Sequence, residues 1–219
     1  MLHNINIITH IMAGIIAILI GIIPYISEKG GKTHRRYGFI FLGLMGIVVL
    51  TALNGVIFFR DRPFLTVVTF QSFYFSYSGF RVTRTKEKGV SLIDFLVMIL
   101  VAVIGISFLL KVKDANVLWN KAVVYYLLIY LFLIISFDLL RYFLPNLIRS
   151  KRFWLYEHIY KMTGAFTALF SAGMGTVFAS WEPFNQIIPA VLGTFWLIFC
   201  LVYFPKRLKN KTTISKVAT

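Results

Sequence analysis

The groups that could do chemistry in this 219-residue chain are 4 histidines, 8 carboxylates and 23 Lys or Arg, and several of them fall inside long apolar runs. An ionisable side chain in a membrane-depth segment is costly and marks a functional candidate. Asp138 and Arg141 are three residues apart and can pair on one helix; Glu157 and Lys161 are four apart, acid first, the favourable order. Two readings stay open for these groups. Either the pairs neutralise each other while the Arg and Lys tips snorkel to the headgroups, or they form a site for an anion, a metal or a proton. The histidines divide in the same way. Each can hydrogen-bond a neighbouring backbone or carboxylate. Alternatively, imidazole titrates near neutrality and ligates metals, and two helix-borne histidines at one depth could hold a haem iron axially. His34 and His158 share a depth, which makes haem b the cofactor this alternative admits. His10 lies on the opposite side, as an outer polar site of its own.

The elements that must position these residues are membrane spans. The chain is 58% hydrophobic and 14% charged, where a soluble domain is nearer half and a quarter. Apolar runs fall at about 5–26, 37–59, 64–80, 91–110, 120–143, 153–179 and 184–204, each long enough for a helix across a bilayer. The expected fold is all-α: a polytopic transmembrane bundle of about seven spans, forming one domain over 1–204 with a basic tail at 205–219. A disulfide scaffold is excluded, because Cys200 is the only cysteine. The run at the N-terminus is too long for a signal-peptide core and has no Lys or Arg before it, so it reads as the first helix.

The net charge of +15 would suggest nucleic acid in a soluble protein, but its distribution follows topology. With seven crossings, 18 of the 23 Lys and Arg fall on one side and 5 on the other. By the positive-inside rule the N-terminus is outside and the C-terminus inside, in a bacterial inner membrane. The implied partners are the lipid bilayer and its anionic headgroups, not nucleic acid. On this topology His34, Arg36, Arg81, Asp94, Asp138, Arg141, Glu157, His158 and Lys161 all lie near the inner surface.

Small and polar residues mark packed faces in lipid. In the first helix His3, Asn6, His10, Ala13, Ala17, Gly21 and Pro24 fall within about 60° of one another at about 100° per residue. In the sixth, His158, Ala165, Ala172 and Thr176 share a face, with Glu157, Lys161, Gly164 and Ala168 on the adjoining arc, so Ala168 and Ala172 are expected at a helix–helix contact. Gln71, Tyr74 and Ser78 share a face that leads to Arg81. Thr33 reads as the N-cap of the second helix, Pro145 as a stop after the fifth, and Asp94 as a first-turn acid favoured by the helix dipole. Trp119, Trp154 and Trp181 fall near the interfaces.

No P-loop, dinucleotide glycine fingerprint, CxxC, GxSxG or HExxH is present, which argues against soluble-enzyme chemistry. Neither a channel filter nor an inverted repeat is legible. The segments His10-Ile-Met-Ala-Gly14 and Gly31-Lys-Thr-His34-Arg35-Arg36-Tyr-Gly38, with Ser78-Gly-Phe-Arg81, Asp138-Leu-Leu-Arg141 and Trp154-Leu-Tyr-Glu157-His158, resemble a family of multi-spanning membrane proteins from Bacteroidetes-like bacteria, a domain of unknown function. The resemblance covers about positions 10–165 and implies an inner-membrane location without an activity. Di-haem b-type cytochromes are a poorer likeness, because their four core histidines on consecutive helices are missing.

The sequence therefore leads to an integral membrane protein with a cytoplasm-side site of His34, Arg36, Arg81, Asp138, Arg141, Glu157 and His158, serving small-molecule or proton-linked transport or sensing. The alternatives are a haem-binding electron carrier on His34 and His158, and a non-catalytic subunit of a membrane complex.

Overall fold

The computed structural model describes residues 2–58, 63–113, 118–144 and 153–217. Among them are seven α-helices and no strand: α1 (Leu2–Ile26), α2 (Lys32–Phe58), α3 (Pro63–Thr85), α4 (Leu92–Lys113), α5 (Leu118–Phe143), α6 (Phe153–Val177) and α7 (Phe184–Val217). Five of them, α1, α2, α4, α5 and α7, are long and apolar enough to cross a membrane. The other two, α3 and α6, carry most of the buried polar residues and pack on each other at the centre. α1 and α2 pair along one flank and α4 and α5 along the other, while α7 lies against α6.

This layering follows from composition. A helix that faces lipid must be apolar, whereas polar side chains must find partners inside the bundle. α3 accordingly buries Gln71, Ser72, Tyr74, Ser76 and Ser78, and α6 buries Glu157, Lys161, Thr163 and Ser171. α1 buries only Ala13, Ala17 and Gly21, the small stripe that lets α2 and α6 approach.

Local details differ from the sequence expectation in several places. α2 begins at Lys32, and the Arg35 N–H bonds to the Gly31 carbonyl at 3.1 Å. Gly31 therefore takes the capping position expected of Thr33. Pro63 opens α3, where its missing N–H is one of the helix's orphans in any case. α7 continues through Pro205 to Val217, so the basic tail prolongs a span rather than following it. On α6 the buried face is the arc through Glu157, Lys161, Ala165 and Ala168, while Ala172 is only half-buried and Thr176 is exposed. Trp181 is exposed and Trp154 half-buried, with the Lys86 ammonium 5.5 Å from its ring. Arg60, Arg62, Pro145, Arg149, Lys151, Arg152 and the side chain of Trp119 lie outside the described residues.

Candidate functional site

Contacts between helix termini gather the chemistry at one end of the bundle. The C-terminal ends of α1, α3 and α5 meet the N-terminal ends of α2, α4 and α6 there, through pairs such as His34–Pro24, Arg81–Asp94 and Arg141–Glu157. The end of α7 joins them, with Phe204 lying 3.9 Å beneath the Lys29 ammonium.

The main cluster links α3, α5 and α6. Lys161 Nζ donates to Asp138 Oδ2 and to Glu157 Oε1, each at 2.7 Å. Arg141 pairs with Glu157 Oε2 and donates to the Lys86 carbonyl at 2.9 Å. Tyr74 Oη donates to Asp138 Oδ2 at 2.6 Å. The four charged residues are 2–7% exposed, and their formal charges cancel. Pairing runs between helices: Arg141 of α5 takes Glu157 of α6, not its own neighbour Asp138. Such balance is what a buried charge requires, because an unpaired one would carry most of its desolvation cost. One acceptor is left over, Asp138 Oδ1, which is buried without a partner.

A second pair stands beside it. Arg81 Nε donates to Asp94 Oδ1 at 2.6 Å and its Nη2 to Oδ2 at 3.2 Å, while Tyr77 and Ser91 also bond the carboxylate. Asp94 is thus the partner of Arg81, a role beyond that of a first-turn acid. Both groups border one cavity of about 20 Å³, lined by Tyr74, Arg81, Asp94, Asp138, Arg141, Glu157 and Lys161 among others. That is room for a single water molecule.

His34 and His158 approach each other, with ring centroids 6.3 Å apart at 68°. His34 Nδ1 is 3.1 Å from the Pro24 carbonyl and His158 Nδ1 is 2.9 Å from the Gly79 carbonyl. A carbonyl can only accept, so each Nδ1 carries the proton and each Nε2 is left as the acceptor. The pair sits on the α1/α2 side of α6, apart from the carboxylates on its α5 side. Neither imidazole borders the small cavity beside the charge network. Among the described residues no cluster of three His, Cys, Asp or Glu is placed to hold a metal.

Six of the seven expected site residues therefore separate into three groups. Asp138, Arg141 and Glu157 form one network, Arg81 adjoins it across the small cavity, and His34 with His158 form a separate pair. Arg36 is exposed and joins none of them. Two network members were not in that set. Lys161 was legible as the i+4 partner of Glu157, and Tyr74 as a polar member of the Gln71–Ser78 face; what sequence cannot show is that both converge on Asp138. His10 makes a polar contact of its own, nearer the other end of the bundle, its Nδ1 2.9 Å from Thr51 Oγ1 and 3.1 Å from the Val48 carbonyl, next to an Asn6–Thr51 bond of 3.0 Å.

A larger cavity of about 410 Å³ lies nearer the other end, between α5 and α7, with α3 and α6 as its floor. Phe75 and Tyr130 of its wall ring-pack with Tyr160, the neighbour of Lys161, at centroid distances of 5.8–6.2 Å. Compared with protein-family models, curated proteins and solved structures, the chain matches none.

Proposed function

We propose that this chain is a multi-pass protein of a bacterial inner membrane, with seven spans, N-terminus outside and C-terminus inside, and that it performs proton-linked transport with the Asp138–Lys161–Glu157–Arg141 network as its coupling site. The steep 18-to-5 distribution of Lys and Arg supports the orientation, and the resemblance to multi-spanning bacterial proteins supports the membrane. α3 and α6 cross as polar spans shielded by the five apolar ones.

One observation carries the functional reading: a charge-neutral network of four buried ions that borders a water-sized cavity and leaves one carboxylate oxygen, Asp138 Oδ1, without a partner. A proton delivered to Asp138 would neutralise it and leave the network with one excess positive charge. Lys161 would then lose half of its anionic partners. An unbalanced charge is costly at this depth, so proton uptake favours a rearrangement of α5 against α6. That is the coupling a proton-driven transporter needs.

The test uses the full chain in liposomes on a solid-supported membrane. A pH jump is expected to displace charge and give a transient current in the wild type. Asp138→Asn, checked for folding by circular dichroism and gel filtration, is expected to lose it. A wild type without a pH-induced current overturns the proposal. The completeness of the pairing favours a second reading, a static clamp in a subunit of a membrane complex, and a silent wild type is the outcome that reading expects.

A further inference from the structure

The outer seam between α2 and α3 brings together charges that the buried network does not use. Phe39 of α2 and Phe80 of α3 meet edge to face there, with ring centroids 5.6 Å apart. The two helices run in opposite directions and pack on each other. Side chains four residues apart share a helix face. Arg35 lies four before Phe39, and Arg84 lies four after Phe80. In antiparallel helices both steps lead toward the same end. The two arginines therefore stand at one level, about 6 Å beyond the ring pair along the bundle axis. Both are exposed, and the Arg84 guanidinium is 5.3 Å from the Phe80 ring.

Like charges at one seam repel unless an anion lies between them. Among the described residues Arg35 and Arg84 form no ion pair, whereas Arg81 and Arg141 each hold a carboxylate. The segments 32–36 and 84–88 together contain six Lys or Arg and one acid, Glu87. What continues from the arginines is apolar and smooth. Phe39, Gly43, Gly46 and Leu50 extend the stripe of Arg35 within about 80° of arc. All four are exposed, and a Cβ added at Gly43 or Gly46 would meet nothing within 4 Å. The stripe is a shallow trough between Phe39 and Leu50, on a helix long and apolar enough to cross a membrane. In a bilayer the trough lies among acyl chains and the arginines at the level of the headgroups.

We infer that this seam binds an anionic phospholipid, with the phosphodiester between Arg35 and Arg84 and an acyl chain along Phe39, Gly43 and Gly46. The planar fork of arginine suits phosphate oxygens. A soluble phosphate would satisfy the arginines and leave the trough unused. A zwitterionic lipid would bring a cation of its own beside them. This site is independent of the charge network, so a silent pH jump would leave it standing.

The probes are phosphatidylglycerol and phosphatidylcholine carrying the same diazirine on the acyl chain. Each is added in trace amount to the full chain in phosphatidylcholine vesicles, photolysed, and mapped by peptide mass spectrometry. In the wild type, phosphatidylglycerol is expected to outlabel phosphatidylcholine about 5-fold or more on residues 39–50, the worth of one cation at a membrane surface. The ratio is expected to be clearly lower on the lipid face of α1. Arg35→Gln and Arg84→Gln are each expected to remove most of the preference, because the two share one phosphate. Lys206→Gln/Arg207→Gln removes two exposed cations at the same end of the bundle, on α7, and is expected to keep it. A wild-type ratio on α2 no higher than on α1 overturns the site. Equal losses in the α7 variant and in Arg35→Gln/Arg84→Gln would mean diffuse attraction to a basic surface, and also overturn it. Inorganic phosphate that abolishes the preference, where sodium chloride of equal ionic strength does not, overturns the lipid as occupant. The first and last readouts are made on the wild type, so a variant that fails to fold does not protect the proposal.

Discussion

α1 and α6 are both 25 residues long, and they bury opposite things. α1 turns Ile8, Ile15, Leu19 and Ile22 outward, each 44–61% exposed, and buries two alanines and a glycine. α6 buries two charged residues, Thr163 and Ser171 alongside its apolar ones. In water this would be inside out. In lipid an isoleucine gains nothing by leaving the acyl chains, so packing and polar pairing decide which face turns inward. The consequence is a division of labour. Outer helices such as α1 are held by close approach of small residues, whereas α3 and α6 are held by charge balance and hydrogen bonds. Substitutions on the two kinds of helix are therefore expected to differ sharply in cost.

The largest effect is expected at Lys161. Lys161→Met removes the ammonium shared by Asp138 and Glu157 and leaves two buried carboxylates with Arg141 alone. Breaking a buried pair in this way costs about 3–5 kcal/mol. Leu19→Ala on α1 removes apolar volume instead, from a side chain 61% exposed, and is expected to change stability by no more than about 0.5 kcal/mol. Thermal unfolding of both variants in one detergent makes the comparison. Similar losses would mean that α1 is as tightly enclosed as α6.

Next is Tyr74→Phe, which keeps the ring and deletes the 2.6 Å hydrogen bond to Asp138. Hydrogen bonds to charged groups are worth about 1.5–3 kcal/mol. In the double variant Tyr74→Phe/Lys161→Met the two losses are expected not to add, because both substitutions strip partners from the same carboxylate oxygen. Strict additivity in unfolding measurements would show that Tyr74 and Lys161 do not share Asp138.

Seven apolar runs correspond to seven helices because apolar length is a local property. Ala13, Ala17 and Gly21 were readable as a packed face for the same reason. Partner choice was not readable. Spacing made Asp138–Arg141 and Glu157–Lys161 the natural pairs, and only the second exists as such; the rest of the network depends on how α3, which packs on both, brings α5 and α6 side by side. The buried arc of α6 was likewise displaced from the His158–Ala172–Thr176 line to the Glu157–Lys161–Ala168 line, because it is set by which neighbours α6 has. Arg36 shows the limit of arguing from depth: it is exposed near the start of α2 and joins neither the network nor the histidine pair.

Glycines test packing on a finer scale. A Cβ at Gly164 would lie 2.9–3.0 Å from three atoms of the Phe75 ring. That ring is wedged between Tyr130 and Tyr160. Gly164→Ala is therefore expected to cost about 1–3 kcal/mol by overpacking. Ala168→Leu, one turn further on, has the cavity between α5 and α7 to expand into and is expected to cost less than Gly164→Ala. Denaturant unfolding ranks the two, and a reversed order would mean that this cavity is closed in solution.

The smallest effect, and the one of opposite sign, is expected at Gly14. It lies on α1 between the buried Ala13 and the exposed Ile15, and a Cβ there would meet nothing within 4 Å. Its φ is helical, so the substitution adds no strain. Alanine loses less backbone entropy than glycine on entering a helix, and Gly14→Ala is expected to stabilise the protein by about 0.5–1 kcal/mol. The contrast with Gly21 on the same helix sharpens the point. A Cβ at Gly21 would sit 2.8 Å from Phe166 of α6, so Gly21→Ala is expected to destabilise. If Gly14→Ala also destabilises, or weakens only an oligomer seen by gel filtration, something outside this chain packs against that face of α1. The face around Gly14 would then no longer be an outer, lipid-facing one, and the distinction between α1 and α6 would fail at that point.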